Sequence, residues 1–486
     1  MIVAGRQFDT ALLLRFLTEV TTKGAALLTV FALARWLGVT EFGNYLQAQA
    51  IALILAPIVL LGLAFAVIRQ IAGTSLPDEV GASLTTAFSI ASAVSSLIAI
   101  VICIFATSIR DLIMENSVSV GLIRTAAILL PIVAWQALTF EAMRARQHVR
   151  STTFLQIGEA LMTLSGILIL ERTDALSPIS AIQLIAALKL VALILGLLDL
   201  AYSHRLNRSH LKFLRLAGIR SALSLGIPFM IAGLGEALMG MADRLVLGNI
   251  LGAGAVGQYT AAQTLVAVLA SWGAPFWWLL YPRMVKAHNS ETGEDVLVAV
   301  HKLFAIFLVL GIPLAATVAL LGPQLLTLAL GEGFAVPIVF MAALVTAVFV
   351  NQSATPWEYH LYIEGRAALL MWSTLAWGIA AVGGIVVLAP GLGILGAAVS
   401  VAGARIGFAL TVIALARRST SARPLLPRKA AVHAALGLAG GLVAAGAVLL
   451  ASGPESGPAL STITFLLVYA TAGRVWPAVQ ARRRPA

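Results

Sequence analysis

The sequence predicts an all-α polytopic membrane protein of about fourteen transmembrane helices. They are expected to form two parallel six-helix lobes, with two further helices at the C-terminal end. Three observations carry this expectation: composition, the placement of basic residues, and an internal repeat. Of 486 residues, 60% are hydrophobic and only 11% are charged, and the mean hydropathy is +0.97. Globular chains carry about a quarter charged residues, so the solvent this composition fits is a bilayer.

At about 20 residues per crossing, apolar windows place helices at 11–36, 44–68, 82–108, 117–140, 152–170 and 178–202. After a basic stretch they resume at 221–241, 256–281, 299–321, 334–354, 367–389 and 394–416, and end at 430–451 and 459–475. No polar segment is long enough to be a soluble catalytic or nucleotide-hydrolysing domain. The phosphate-binding pattern G-x-x-x-x-G-K-[ST] is absent from the sequence, so transport would draw on a gradient or a partner. The first apolar run is long and broken by charges, and is expected to be a retained helix rather than a cleaved signal. The single cysteine, Cys103, offers neither a disulfide framework nor a Cys-based metal site.

Cytoplasmic loops retain Lys and Arg. With both termini in the cytoplasm of a bacterial inner-membrane protein, 22 basic residues fall in inside loops and tails and 4, namely Arg35, Arg110, Arg172 and Arg244, fall outside. Six remain within helices: Arg15, Lys23, Arg124, Lys189, Lys302 and Arg405. The net charge of +11 therefore expresses topology and attraction to anionic lipid headgroups, and nucleic acid is not an expected partner.

Residues 37–49 recur as residues 251–263 at a constant offset of 214. Leu37, Gly38, Gly43, Tyr45, Ala48 and Gln49 match Leu251, Gly252, Gly257, Tyr259, Ala262 and Gln263. Leu55, Ala56 and Arg69 continue the register with Leu269, Ala270 and Arg283. Six crossings separate the copies, so both keep one orientation, as parallel repeats about an axis along the membrane normal do. The expected organisation is an N-lobe at 1–203, a cytoplasmic connector at 204–220, a C-lobe at 221–418, and helices 13 and 14 with a basic tail at 419–486.

The charges inside the spans are the candidate site. Arg15, Glu19 and Lys23 recur every four residues of helix 1 and share one face. Each ion exposed to hydrocarbon near the bilayer centre costs about 2.5–3.5 kcal/mol, so this stripe must face protein or water. It is either an ion ladder locking helix 1 to its neighbours or the basic wall of a wet cavity. Arg124 in helix 4, Lys189 in helix 6 and Arg405 in helix 12 add cations, the last two at similar depths in corresponding helices. Against these five cations stand three acids, Glu19, Glu159 and Glu236. The acids either pair with the cations or carry protons. A net-positive cavity suits an anionic substrate, particularly a phosphate.

Pro57, Pro131, Pro228, Pro275, Pro313 and Pro337 interrupt expected helices, and are either bends that let lobes move or ordinary membrane-helix prolines. Trp272, Trp277 and Trp278 read as an interfacial belt, with sugar stacking as the alternative. The histidines have no metal-ligand spacing and no nucleophile constellation is present, so neither an enzyme nor a cofactor is expected.

The repeat with its Gly43-Asn44-Tyr45 and Gly257-Gln258-Tyr259 motifs, the run from Gly62 to Arg69, the run from Ala242 to Gly248, and the run from Pro390 to Ala398 resemble bacterial polysaccharide flippases. Those proteins belong to the multidrug, oligosaccharidyl-lipid and polysaccharide exporter superfamily. The resemblance implies two six-helix lobes around a cavity and two extra C-terminal helices. It also implies a polyprenyl-diphosphate-linked oligosaccharide, turned from the cytoplasmic to the periplasmic leaflet beside a polysaccharide polymerase and glycosyltransferases. By the same resemblance the diphosphate would sit among Arg15 and Lys23 first, then Arg124, Lys189 and Arg405. An ion-coupled multidrug exporter of the superfamily, a peptidoglycan-precursor flippase, and a membrane glycosyltransferase or polymerase are the alternatives.

Overall fold

The computed structural model describes residues 2–64, 67, 77–113, 118–146, 148–203, 216–288, 294–418, 462–463 and 465, and its regular elements are all helical. In order these are α1 (Ile2–Leu60), α2 (Pro77–Ile104), α3 (Ala106–Ile113), α4 (Val120–Ala145), α5 (Val149–Arg172), α6 (Pro178–Ser203) and α7 (Leu216–Gly240). There follow α8 (Ala242–Leu251), α9 (Ala253–His288), α10 (Glu294–Leu330), a 3-10 turn (Glu332–Phe334), α11 (Ile338–Ile363), α12 (Ala367–Leu392) and α13 (Ile394–Arg417). Each of the first twelve expected crossings falls on one of these helices, with the first two on the two arms of α1. Nine helices among the described residues are long and apolar enough to span a membrane. Expected helix 13 and the connector up to residue 215 lie outside the described residues, as does most of helix 14.

An all-helical build follows from the solvent, because in hydrocarbon every backbone N–H and C=O must be satisfied within its own segment. Polar side chains inside these helices turn back on the same backbone. Thr29, Thr86 and Thr139 donate to carbonyls four residues earlier at 2.8, 2.8 and 2.9 Å. At the start of α4 the Ser119 hydroxyl accepts the Leu122 N–H at 3.1 Å, which meets one of the donors a helix start leaves open.

Two single-residue breaks carry the repeat into three dimensions. α1 breaks at Gly38 with φ 77 and ψ 167, and α8 ends at Gly252 with φ 84 and ψ 171. The two glycines are 214 residues apart and share one left-handed conformation, which side chains with a Cβ rarely adopt.

The chain divides into two compact units, Met1–Thr260 with Thr374–Ala397, and Ala261–Ser373 with Ala398–Ala486. The first holds a cluster that includes Leu63, Leu84, Leu138, Met143 and Leu200. The second holds an aromatic cluster, with Phe349 stacked on Phe307 at 5.4 Å and Trp277 tilted against it at 4.7 Å between ring centroids. It also holds a cluster in which Phe465 packs with Ile312, Ala316 and Leu320. Trp277 is buried in this core and donates its indole N–H to Gln352 at 2.8 Å, so it is a packing residue rather than part of an interfacial belt.

Two expected boundaries move. Pro337 is the N-cap of α11, not an interior bend, because its fixed φ suits a helix start and the 3-10 turn intervenes. Arg244, assigned to a loop, lies on α8 with 9% exposure. Hydropathy ends the span at Asp243-Arg244, but a helix walled by protein need not end where its apolar run does.

Where helices approach most closely the residues are glycines. Gly62, at φ 66, and Gly226 on α7 meet backbone to backbone, so that a methyl on Gly226 would overlap the Leu61 carbonyl. Gly226→Ala is expected to destabilise the protein by about 1–3 kcal/mol, read as a lower melting temperature in detergent. Gly24→Ala, whose added methyl meets nothing within 4 Å, should leave it unchanged or raise it slightly.

Candidate functional site

The N-terminal arm of α1 docks on α5 through its small and hydroxylated face. Thr18 and Thr153 are 2% and 6% exposed, and the Thr18 hydroxyl donates to that of Thr153 at 3.1 Å. Ala25 and Thr29 continue the buried face. The charged stripe lies about a quarter turn away. Glu19 is half-buried, and Lys23 is exposed with no hydrogen bond or ion pair among the described residues. The backbone of Arg15 is helical and its side chain lies outside the described residues.

Lys189 is placed differently. Its Nζ on α6 donates to Glu159 Oε1 on α5 at 2.7 Å and to Gln136 Oε1 on α4 at 3.1 Å. Gln136 in turn donates to the second carboxylate oxygen of Glu159. Three helices are thereby joined by a closed polar ring whose charges cancel, with side-chain exposures of 25% for Lys189 and 16% for Glu159. In the second unit Arg405 on α13 donates to Asn351 Oδ1 on α11 at 3.1 Å. The basic residues of α6 and α13 thus each meet a side-chain amide oxygen.

Arg124 sits in the first turns of α4, exposed, and donates to the Cys103 carbonyl at 3.3 Å. Glu236 is exposed on α7. The sequence-predicted residues therefore separate into the α1 stripe, the Lys189–Glu159 ring, and the individual positions of Arg124, Glu236 and Arg405. Among the described residues no group of three or more His, Cys, Asp or Glu is placed to hold a metal.

Sequence reasoning passed over a buried polar group at the far end of α1. Gln47 is fully buried, and neither its amide nitrogen nor its oxygen has a hydrogen-bond partner among the described residues. Its amide packs on Gly248, one turn along α8 from Arg244, whose Nε likewise has no acceptor there. Asp243, completely buried, accepts the Arg244 backbone N–H at 2.8 Å. The available signal was position: Gln47 lies inside the repeat and Arg244 just before its second copy.

The model of the family described as "Polysaccharide biosynthesis protein" matches residues 12–288, more than half of the chain. The chain belongs to this family. No curated protein sequence matches it. Its fold is shared with solved transporters. The chain is similar to the lipid II flippase MurJ in an inward closed conformation, with TM-score 0.69 and 12% identity over 96% of this chain and 99% of that one. It is also similar to an inward-facing multidrug resistance MATE family transporter of the MOP superfamily, with TM-score 0.62 and 15% identity over 83% and 96% of the two chains. The Vibrio cholerae MATE transporter VcmN gives TM-score 0.61 and 13% identity over 86% and 98%.

Removing one member of the Lys189–Glu159 ring leaves a charge with its partner gone. Lys189→Ala or Glu159→Ala is expected to lower stability by about 1–3 kcal/mol, the range being held down by the partial exposure of both groups. The exchange Lys189→Glu with Glu159→Lys should recover most of that loss, measured by thermal melting of the purified protein.

Proposed function

We propose that this member of the polysaccharide biosynthesis family is a flippase for an anionic polyprenyl-diphosphate-linked oligosaccharide. It would move the cargo from the cytoplasmic to the periplasmic leaflet of the inner membrane, with both protein termini cytoplasmic. The observation that carries the proposal is Lys23. It is exposed, without an acidic partner among the described residues, and lies within an apolar candidate span. An ammonium ion at that position is stable beside water or an anion and unstable beside acyl chains.

In this reading the cavity between two six-helix lobes admits the sugar and diphosphate while the polyprenyl tail stays in lipid. Lys23 and Arg15 meet the diphosphate as cationic donors. Arg405, which donates to the Asn351 amide oxygen, adds positive potential, and Arg124 adds it from one end, whereas Lys189 is neutralised by Glu159 and serves as a polar donor at most. Rocking of the lobes then exposes the headgroup to the other leaflet. Polysaccharide polymerase and glycosyltransferases would work beside the protein, and membrane lipids would surround it.

A flippase for the peptidoglycan precursor is the second reading. The match to MurJ favours it, since that match covers 96% of this chain whereas the two MATE transporters above reach 83% and 86%. The diphosphate chemistry is common to both readings, and complementation separates them. A surface-polysaccharide export mutant should be rescued under the first reading and a strain depleted of its lipid II flippase under the second. A drug-sensitive strain rescued by the gene instead would point to a multidrug exporter.

Lys23→Ala should reduce export of the polymer at least about tenfold, the loss of one charge-assisted contact of about 1.4 kcal/mol or more, with protein abundance unchanged. Lys23→Arg should retain most export. Normal export by Lys23→Ala would overturn the cationic-site assignment.

A further inference from the structure

The two copies of the repeat meet each other. Val39 and Ala253 are equivalent at the 214-residue offset, as are Gly43 and Gly257, and the contacts run crosswise. A methyl on Gly43 would overlap the Ala253 carbonyl, and a methyl on Gly257 would overlap the Val39 carbonyl. Between these reciprocal contacts, Gly254 faces its own equivalent, Thr40, with 4.0 Å from the position of an added Cβ to the Thr40 hydroxyl. Equivalent residues that face one another lie at the pseudo-twofold axis relating the repeats. Residues 39–43 and 253–257 therefore form one symmetric clasp, at the end of the bundle with few basic loops.

A clasp of bare backbone surfaces fits closely but has little adhesive chemistry, since in a membrane there is no hydrophobic drive between helices. Directly behind it the structure places groups that oppose closure. Gln47, four residues beyond Gly43, has its whole amide buried without a partner, and Arg244 has its Nε in the same condition. Burying polar groups without partners is unfavourable, and the penalty is relieved when they regain water.

We propose that this glycine clasp is the closed outer seal of the translocation route, and that the partnerless Gln47 amide with the Arg244 guanidinium is a built-in opposing element that keeps the seal openable. The seal rests on the flippase reading above. The opposing element does not, because it acts on the stability of the closed form whatever the cargo.

The test uses the full-length protein with Cys103→Ala. In membranes, Thr40→Cys with Gly254→Cys is bridged by oxidation or by a short bis-methanethiosulfonate reagent, and polymer export is followed before and after reduction. Bridging that stops export, with recovery on reduction, is the expected result. A bridge that forms while export continues, or the failure of both treatments to bridge, overturns the seal. Separately, Gln47→Leu and Gln47→Met replace the amide by apolar groups of similar volume. Each is expected to raise the melting temperature in detergent by roughly 2 °C or more and to increase the bridged fraction at a fixed exposure to oxidant. Folded variants with a lower melting temperature or less bridging overturn the opposing element. Failure of complementation in both strains, with these stability and bridging results intact, counts against the flippase reading and leaves the opposing element standing.

Discussion

Hydrocarbon cannot solvate an ion, and the described charges within these helices are placed in ways that answer to that constraint. Lys189 is cancelled by Glu159 inside a ring closed by Gln136. Arg405 donates to the neutral amide oxygen of Asn351. Lys23 is left exposed. Two lysines of one chain thus meet the constraint in different ways, one by pairing with a carboxylate and one by remaining exposed.

Much of the fold was legible because the bilayer simplifies the problem. Length and hydropathy place twelve crossings where helices lie, and nine identities at one offset predict a duplication whose geometry appears in the matching dihedrals of Gly38 and Gly252. Pro337 and Arg244 were misplaced for a shared reason. A hydropathy window reports affinity for lipid, whereas a helix starts where its dihedrals allow and continues wherever protein shields it. Gln47 was unreadable for another reason: its burial is produced by Gly248, about two hundred residues away in sequence. The pairing of Lys189 with Glu159 was open in the sequence as one of two alternatives, and only spatial proximity distinguishes them.

The compact units and the duplicated halves are not the same partition. Residues Thr374–Ala397 group with the first unit although the repeat would count them in the second half. Duplication records how the chain arose, and compactness records which helices now pack together. Structures sharing 12–15% of residues keep the same helical plan, so the plan itself does not specify what a chain binds.

The breaks at Gly38 and Gly252 each occupy one residue, with helix on both sides. Flexible linkers absorb rotation, and a single-residue hinge has little slack in which to do so. Torque applied to one arm is therefore passed to the other, so each pair behaves as a bell crank rather than as two tethered rods. An epitope tag or reporter spliced at either glycine would uncouple the lever, whereas tails beyond the helical core leave the linkage intact.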